Sequence, residues 1–109
     1  MPPRPTPIPV TRSVREIGQH LATWRKLRGV TQGTLAERAG VSRATLHKLE
    51  SGQGHVTLET FLRVLRVLGT LDLVVDALDP YQSDVGRLRA DQQLPERVRP
   101  RRLAGGDDA

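Results

Sequence analysis

Gly40, Val41 and Ser42 are all that separates two segments with helix-start chemistry, one opening after Thr31 and one after Ser42. Threonine and serine at those positions accept the first free amides of a helix. A connection this short, containing a glycine that reaches the left-handed conformation at once, makes two helices cross steeply instead of lying antiparallel. The spacing therefore predicts a helix over 32–39, a tight turn, and a helix over 43–51. Ala36 is small where the two axes approach, and Val41, Leu46 and Leu49 form the inward face of the second helix. With that face fixed, helical geometry turns Arg43, Ala44, His47, Lys48 and Ser51 outward together.

The rest of the chain supplies a frame for this pair. Ser13-Val14-Arg15-Glu16 has the S-x-x-E spacing of a capping box, and Val14, Ile17, Leu21, Trp24 and Leu27 follow at 3-4-3 intervals, predicting a first helix that ends at Gly29. Trp24 is expected in the core. Thr57 caps a fourth helix whose stripe is Leu58, Phe61, Leu62, Leu65 and Leu68, with Gly69 after it. Beyond Gly69 the period changes. Leu71, Leu73 and Val75 alternate with Asp72 and Asp76, a period of two that predicts a half-buried strand. No partner strand is evident in the chain, which makes pairing with the same strand of a second copy attractive. A short fifth helix packed on the fourth is the alternative.

The ends differ in composition. Residues 2–9, PPRPTPIP, favour an extended polyproline arm, so 1–12 is expected to be disordered: a leader, a ligand for an aromatic groove, or an arm carrying Arg4 and Arg12 to phosphates. The ordered domain is expected over 13–79, ending at Asp79-Pro80. The tail over 80–109 contains one short candidate helix, Ser83 to Gln93, weakened by Gly86, followed by a basic and then acidic stretch expected to be disordered.

With 109 residues, one core is expected. The absence of cysteine rules out thiolate metal sites, disulfides and a Cys nucleophile. No apolar run approaches the length of a membrane span, so a soluble, cytoplasmic protein is expected. The net charge of +5 suggests a polyanionic partner, yet residues 13–79 hold nine Lys/Arg against seven Asp/Glu, and the excess is spread thinly. Charge alone is weak evidence for nucleic acid. His20, His47 and His55 lie on separate elements without ligand spacing, and there is no phosphate loop, nucleophile elbow or carboxylate pair. An enzyme, a metal site and a cofactor are therefore not expected. Glu37, Glu50 and Glu59 read as exposed helix charges.

The outward row has a specific chemistry. Arg43 and Lys48 can donate to guanine O6 and N7, Ala44 and Thr45 can meet a thymine methyl, and His47 can donate to an acceptor. Gln32, in the first turn of its helix, together with Ser42, Thr45 and Ser51, is placed to meet phosphates.

The stretch TQGTLAERAGVSRATLHKLESG resembles the helix-turn-helix of the Cro/C1-type (xenobiotic response element) repressors, over roughly residues 13–69. The resemblance implies an all-α domain of four to five helices like the lambda-repressor fold, usually dimeric. It also implies that Gln32 contacts backbone and that Arg43, Ala44, His47 and Lys48 face base edges. LGTLDLVVDALDP is similar to the end of HipB-type antitoxins, in which a strand after the last helix pairs across the dimer. That second resemblance implies a chain that represses its own operon, dimerises through Leu71, Leu73 and Val75, and binds a HipA-like kinase toxin; the two-fold symmetry of such a dimer calls for a palindromic operator. Two alternatives are a stand-alone transcription factor without a toxin and a protein-interaction module without DNA readout.

Overall fold

The computed structural model describes residues 4–53 and 55–94, and within these every regular element is helical. In chain order they are α1 (Ile8–Leu27), α2 (Gln32–Ala39), α3 (Arg43–Ser51), α4 (Leu58–Leu68), α5 (Leu71–Leu78), a 3-10 turn (Pro80–Gln82) and α6 (Asp84–Gln93). The chain divides into two compact units, one ending at Asp72 and the other beginning at Leu73. The expected tail over residues 95–109 lies outside the described residues.

α1 starts at Ile8, well before Ser13, so residues 8–12 are helix and not part of an arm. Pro7 is the extended residue before the helix, and its carbonyl accepts from the amides of Val10 and Thr11 at 3.0 and 3.1 Å. Pro9 falls in the first turn, where its missing amide would have had no partner anyway. Prolines that read as an extended arm thus initiate a helix, and Ser13 lies inside it. Only Gly18 and Leu21 of α1 are buried. Val14, Ile17 and Leu27 are exposed, and Trp24 is half-buried beneath the Arg28 guanidinium, 5.5 Å from its ring centre.

The next three helices begin and end where their caps place them. Thr31, Ser42 and Thr57 each accept the amide three residues on, at 3.0–3.1 Å. Gly40 stops α2 with φ of 73°, a left-handed backbone that a side chain would strain, and the Val41 amide then closes back on the Ala36 carbonyl at 3.0 Å. The core of this first unit is Leu21, Leu35, Ala36, Ala39, Leu46, Leu49, Val64, Leu65 and Leu68, drawn from α1 to α4.

Residues 71–78 form α5 and not the expected strand. The apolar run contains both periods: Leu71, Leu73 and Val75 alternate, but Leu71, Val74, Val75 and Leu78 stand at i, i+3, i+4 and i+7. A strand without a partner leaves its amides and carbonyls unpaired, whereas a helix satisfies them locally, and Asp72 in the first turn suits the positive helix end. The strand pairing expected through Leu71, Leu73 and Val75 is therefore overturned, because on a helix Leu73 points away from the other two. In the second unit, Ser83 caps α6 through the Gly86 amide at 2.9 Å. Gly86 is required there, since a Cβ on it would collide with the Pro80 carbonyl of the 3-10 turn.

Candidate nucleic-acid interface

The geometry of α3 is set from behind. Leu46 is wholly buried and Leu49 nearly so, against the wholly buried Leu35 and the small Ala36 of α2. On its other side α3 meets α1 backbone to backbone. A Cβ on Gly18 would lie 2.5 Å from the Leu49 carbonyl oxygen and 2.6 Å from that of Glu50. At the end of α3, a Cβ on Gly52 would lie 2.8 Å from the Arg15 Cα. Two glycines, Gly18 within α1 and Gly52 just past the end of α3, permit this approach.

A polar clamp completes the back of the helix. Glu50, expected to be a solvated charge, is only 8% exposed. Its carboxylate accepts from Arg25 Nε at 2.7 Å, from a second Arg25 nitrogen at 3.1 Å, and from Gln32 Nε2 at 2.8 Å. Arg25 also donates to the Val30 carbonyl at 3.1 Å. One buried carboxylate thereby joins α1, α2 and α3, with its oxygens occupied by charge-assisted hydrogen bonds. The signal for it was present in the sequence: Glu50 continues the inward 3-4 spacing of Leu46 and Leu49. Gly18 likewise stands four residues after Val14 and three before Leu21.

With that side locked, the outward row emerges as the spacing implied. Arg43, Ala44, His47, Lys48 and Ser51 are all exposed and lie within an arc of about 140° at the helical turn angle. Among the described residues neither Arg43 nor Lys48 has a carboxylate partner. The side chains expected at phosphates are tied back into the fold. Ser42 Oγ accepts the Thr45 amide at 3.0 Å and donates to the Thr45 hydroxyl at 2.8 Å. Ser51 Oγ donates to the His47 carbonyl at 2.8 Å, and Gln32 is held by Glu50. Thr45 and Gln32 are half-buried, while Ser42 and Ser51 are exposed. Glu59 and Arg63 pair along α4 at 3.0 Å on the surface. No helix among the described residues is long and apolar enough to cross a membrane.

Residues 16–78 match the model of a family described as a helix-turn-helix domain. The chain is also 32% identical over 87 residues to the cryptic phage CTXphi transcriptional repressor RstR of Vibrio cholerae serotype O1 (strain ATCC 39315 / El Tor Inaba N16961), a match that covers 74% of this chain and 75% of that protein. No solved structure matches the chain significantly. The matched segment contains α2, the Gly40 turn and α3 in full, and the chain belongs to the helix-turn-helix domain family.

Proposed function

We propose that this protein is a sequence-specific DNA-binding transcriptional repressor. One observation carries the proposal: α3 is held on its inner side by Leu46, Leu49, the Gly18 contact and the Glu50 clamp, and displays Arg43, Ala44, His47 and Lys48 to solvent with no ion pair to another of the described residues. The major groove admits a single helix of this kind. Arg43 and Lys48 are the donors to guanine, Ala44 the apolar contact to a thymine methyl, and His47 a further donor. The backbone contacts that set its register on phosphates are assigned to the α2 N-terminus at Gln32 and to Ser42, Thr45 and Ser51, whose internal hydrogen bonds fix them in place and leave the Ser42 and Ser51 hydroxyls exposed. Likeness to a protein named a transcriptional repressor supports the same conclusion.

A homodimer on a palindromic operator completes the proposal, with half-sites about 34–36 Å apart. The seam is the stripe Leu71, Val74, Val75 and Leu78 of α5, a helix that buries none of its residues. The first site to test is the promoter region of its own operon, in the cytoplasm, where such a repressor acts. The strand that motivated the comparison with HipB-type antitoxins is a helix, so a repressor without a HipA-like toxin partner is the better supported form.

Selection from random duplexes, followed by a shift assay on the selected site and on the chain's own promoter, tests this. A common sequence bound with steeply salt-dependent affinity is the expected result. Failure to enrich any sequence would remove the repressor function.

A further inference from the structure

A second feature lies beside α3 on the side towards α1 and α4. Val14 and Ile17 of α1, Leu49 of α3, and Leu58 and Phe61 of α4 line an open groove of about 290 Å³, and Val56 and Lys48 complete its lining. Val14 is 38% exposed, Ile17 41% and Leu58 70%, although all belong to the apolar faces from which the core is built. Its size is near the lower end for small-molecule sites, and its make-up, an apolar body with one polar group, is characteristic of them. Lys48 has no carboxylate partner among the described residues.

We propose that this groove binds a small apolar molecule bearing a carboxylate, its body among Val14, Ile17, Leu58 and Phe61 and its anionic head on Lys48. Charge complementarity selects the occupant: an uncharged hydrocarbon leaves the ammonium unused, and a cation is repelled by it. A second copy of the chain seated there would cover Lys48, which the DNA-facing row requires. On the repressor reading, which this regulatory step rests on, the same ammonium serves either the ligand or the operator. Occupancy therefore weakens DNA binding and makes the ligand an inducer.

Octanoate is a suitable probe, with octanol as its uncharged counterpart, titrated into the full chain carrying methyl-labelled Ile, Leu and Val. Saturable shifts confined to the Val14, Ile17, Leu49, Val56 and Leu58 methyls are expected with octanoate. Octanol should bind about fivefold more weakly, the upper range for one partly exposed ion pair. Lys48→Gln should abolish the difference. Ile17→Trp, or Leu58→Trp if the first does not fold, fills the groove and should leave operator binding insensitive to octanoate, whereas the unaltered chain should release its selected duplex. Absence of saturable groove shifts, or equal affinity for octanoate and octanol, overturns the proposal. Shifts of these methyls on dilution without ligand overturn it in favour of a second copy. If the unliganded chain selects no DNA, the repressor function fails, and the methyl titration still decides whether the site exists.

Discussion

Gln32, the first residue of α2, donates its side-chain amide to Glu50 on α3 at 2.8 Å, on a carboxylate that Arg25 of α1 also grips at 2.7 Å. Removing one partner of such a buried pair strands the other without solvent. Glu50→Ala is expected to lose about 3 kcal/mol of stability in urea unfolding, because the largely buried Arg25 guanidinium loses its counter-charge and keeps only its bond to the Val30 carbonyl. The double change Arg25→Met with Glu50→Leu should recover most of that loss. A single variant as stable as the parent would show that the clamp contributes nothing.

Gly18 and Gly33 both lie inside helices, and a methyl group should have opposite effects at the two. At Gly18 it would press on the Leu49 and Glu50 carbonyls, which are backbone and have nowhere to go. Gly18→Ala should cost about 1–3 kcal/mol, the range for overpacking, and reduce operator affinity. At Gly33 the nearest atom is the Thr31 hydroxyl, 3.9 Å away. Gly33→Ala should therefore stabilise by about 0.4–1 kcal/mol through the unfolded chain. Thermal unfolding of the two variants side by side checks both signs.

Arg43→Ala should relax base preference at one position of each half-site, with a loss of about 1–3 kcal/mol for the preferred base. Lys48→Ala should lower the salt dependence as well. Repeating the selection with each variant checks this, and an unchanged preferred sequence for Arg43→Ala would remove that residue from the readout.

The seam proposed on α5 distinguishes its residues by helical position. Val75→Asp, on the stripe with Leu71, Val74 and Leu78, should give a monomer by light scattering at concentrations where the parent is dimeric. Leu73→Asp, on another side of the helix, should leave the dimer largely intact. Equal disruption by both would point back to a two-sided or extended arrangement of this segment.

Much of the frame around α3 was legible because it is written in local chemistry. Thr31, Ser42, Thr57 and Ser83 mark helix starts through hydrogen bonds spanning only three residues, and Gly40 marks a stop through its own φ. The features missed depend on what lies across space. Leu71–Leu78 satisfies both periods, and only the absence of a partner for its amides decides between them. Pro7 and Pro9 have the same φ in an extended arm as at a helix start, so the choice rested on whether the following residues continue the helix. Glu50 looks like any surface acid until Arg25 is brought beside it from α1. The outward row on α3 was readable because it is the complement of an inward face; the groove beside Lys48 was not, since it exists only between three helices.

The contact of Gly18 with the Leu49 and Glu50 carbonyls bears finally on how any operator would be accommodated. A helix held backbone against backbone has little freedom to roll or slide within its domain. Misfit at the interface then has to be absorbed by the duplex, whose resistance to twisting and groove narrowing varies from step to step. Base pairs between half-sites, touched by no side chain, would be discriminated by their stiffness alone.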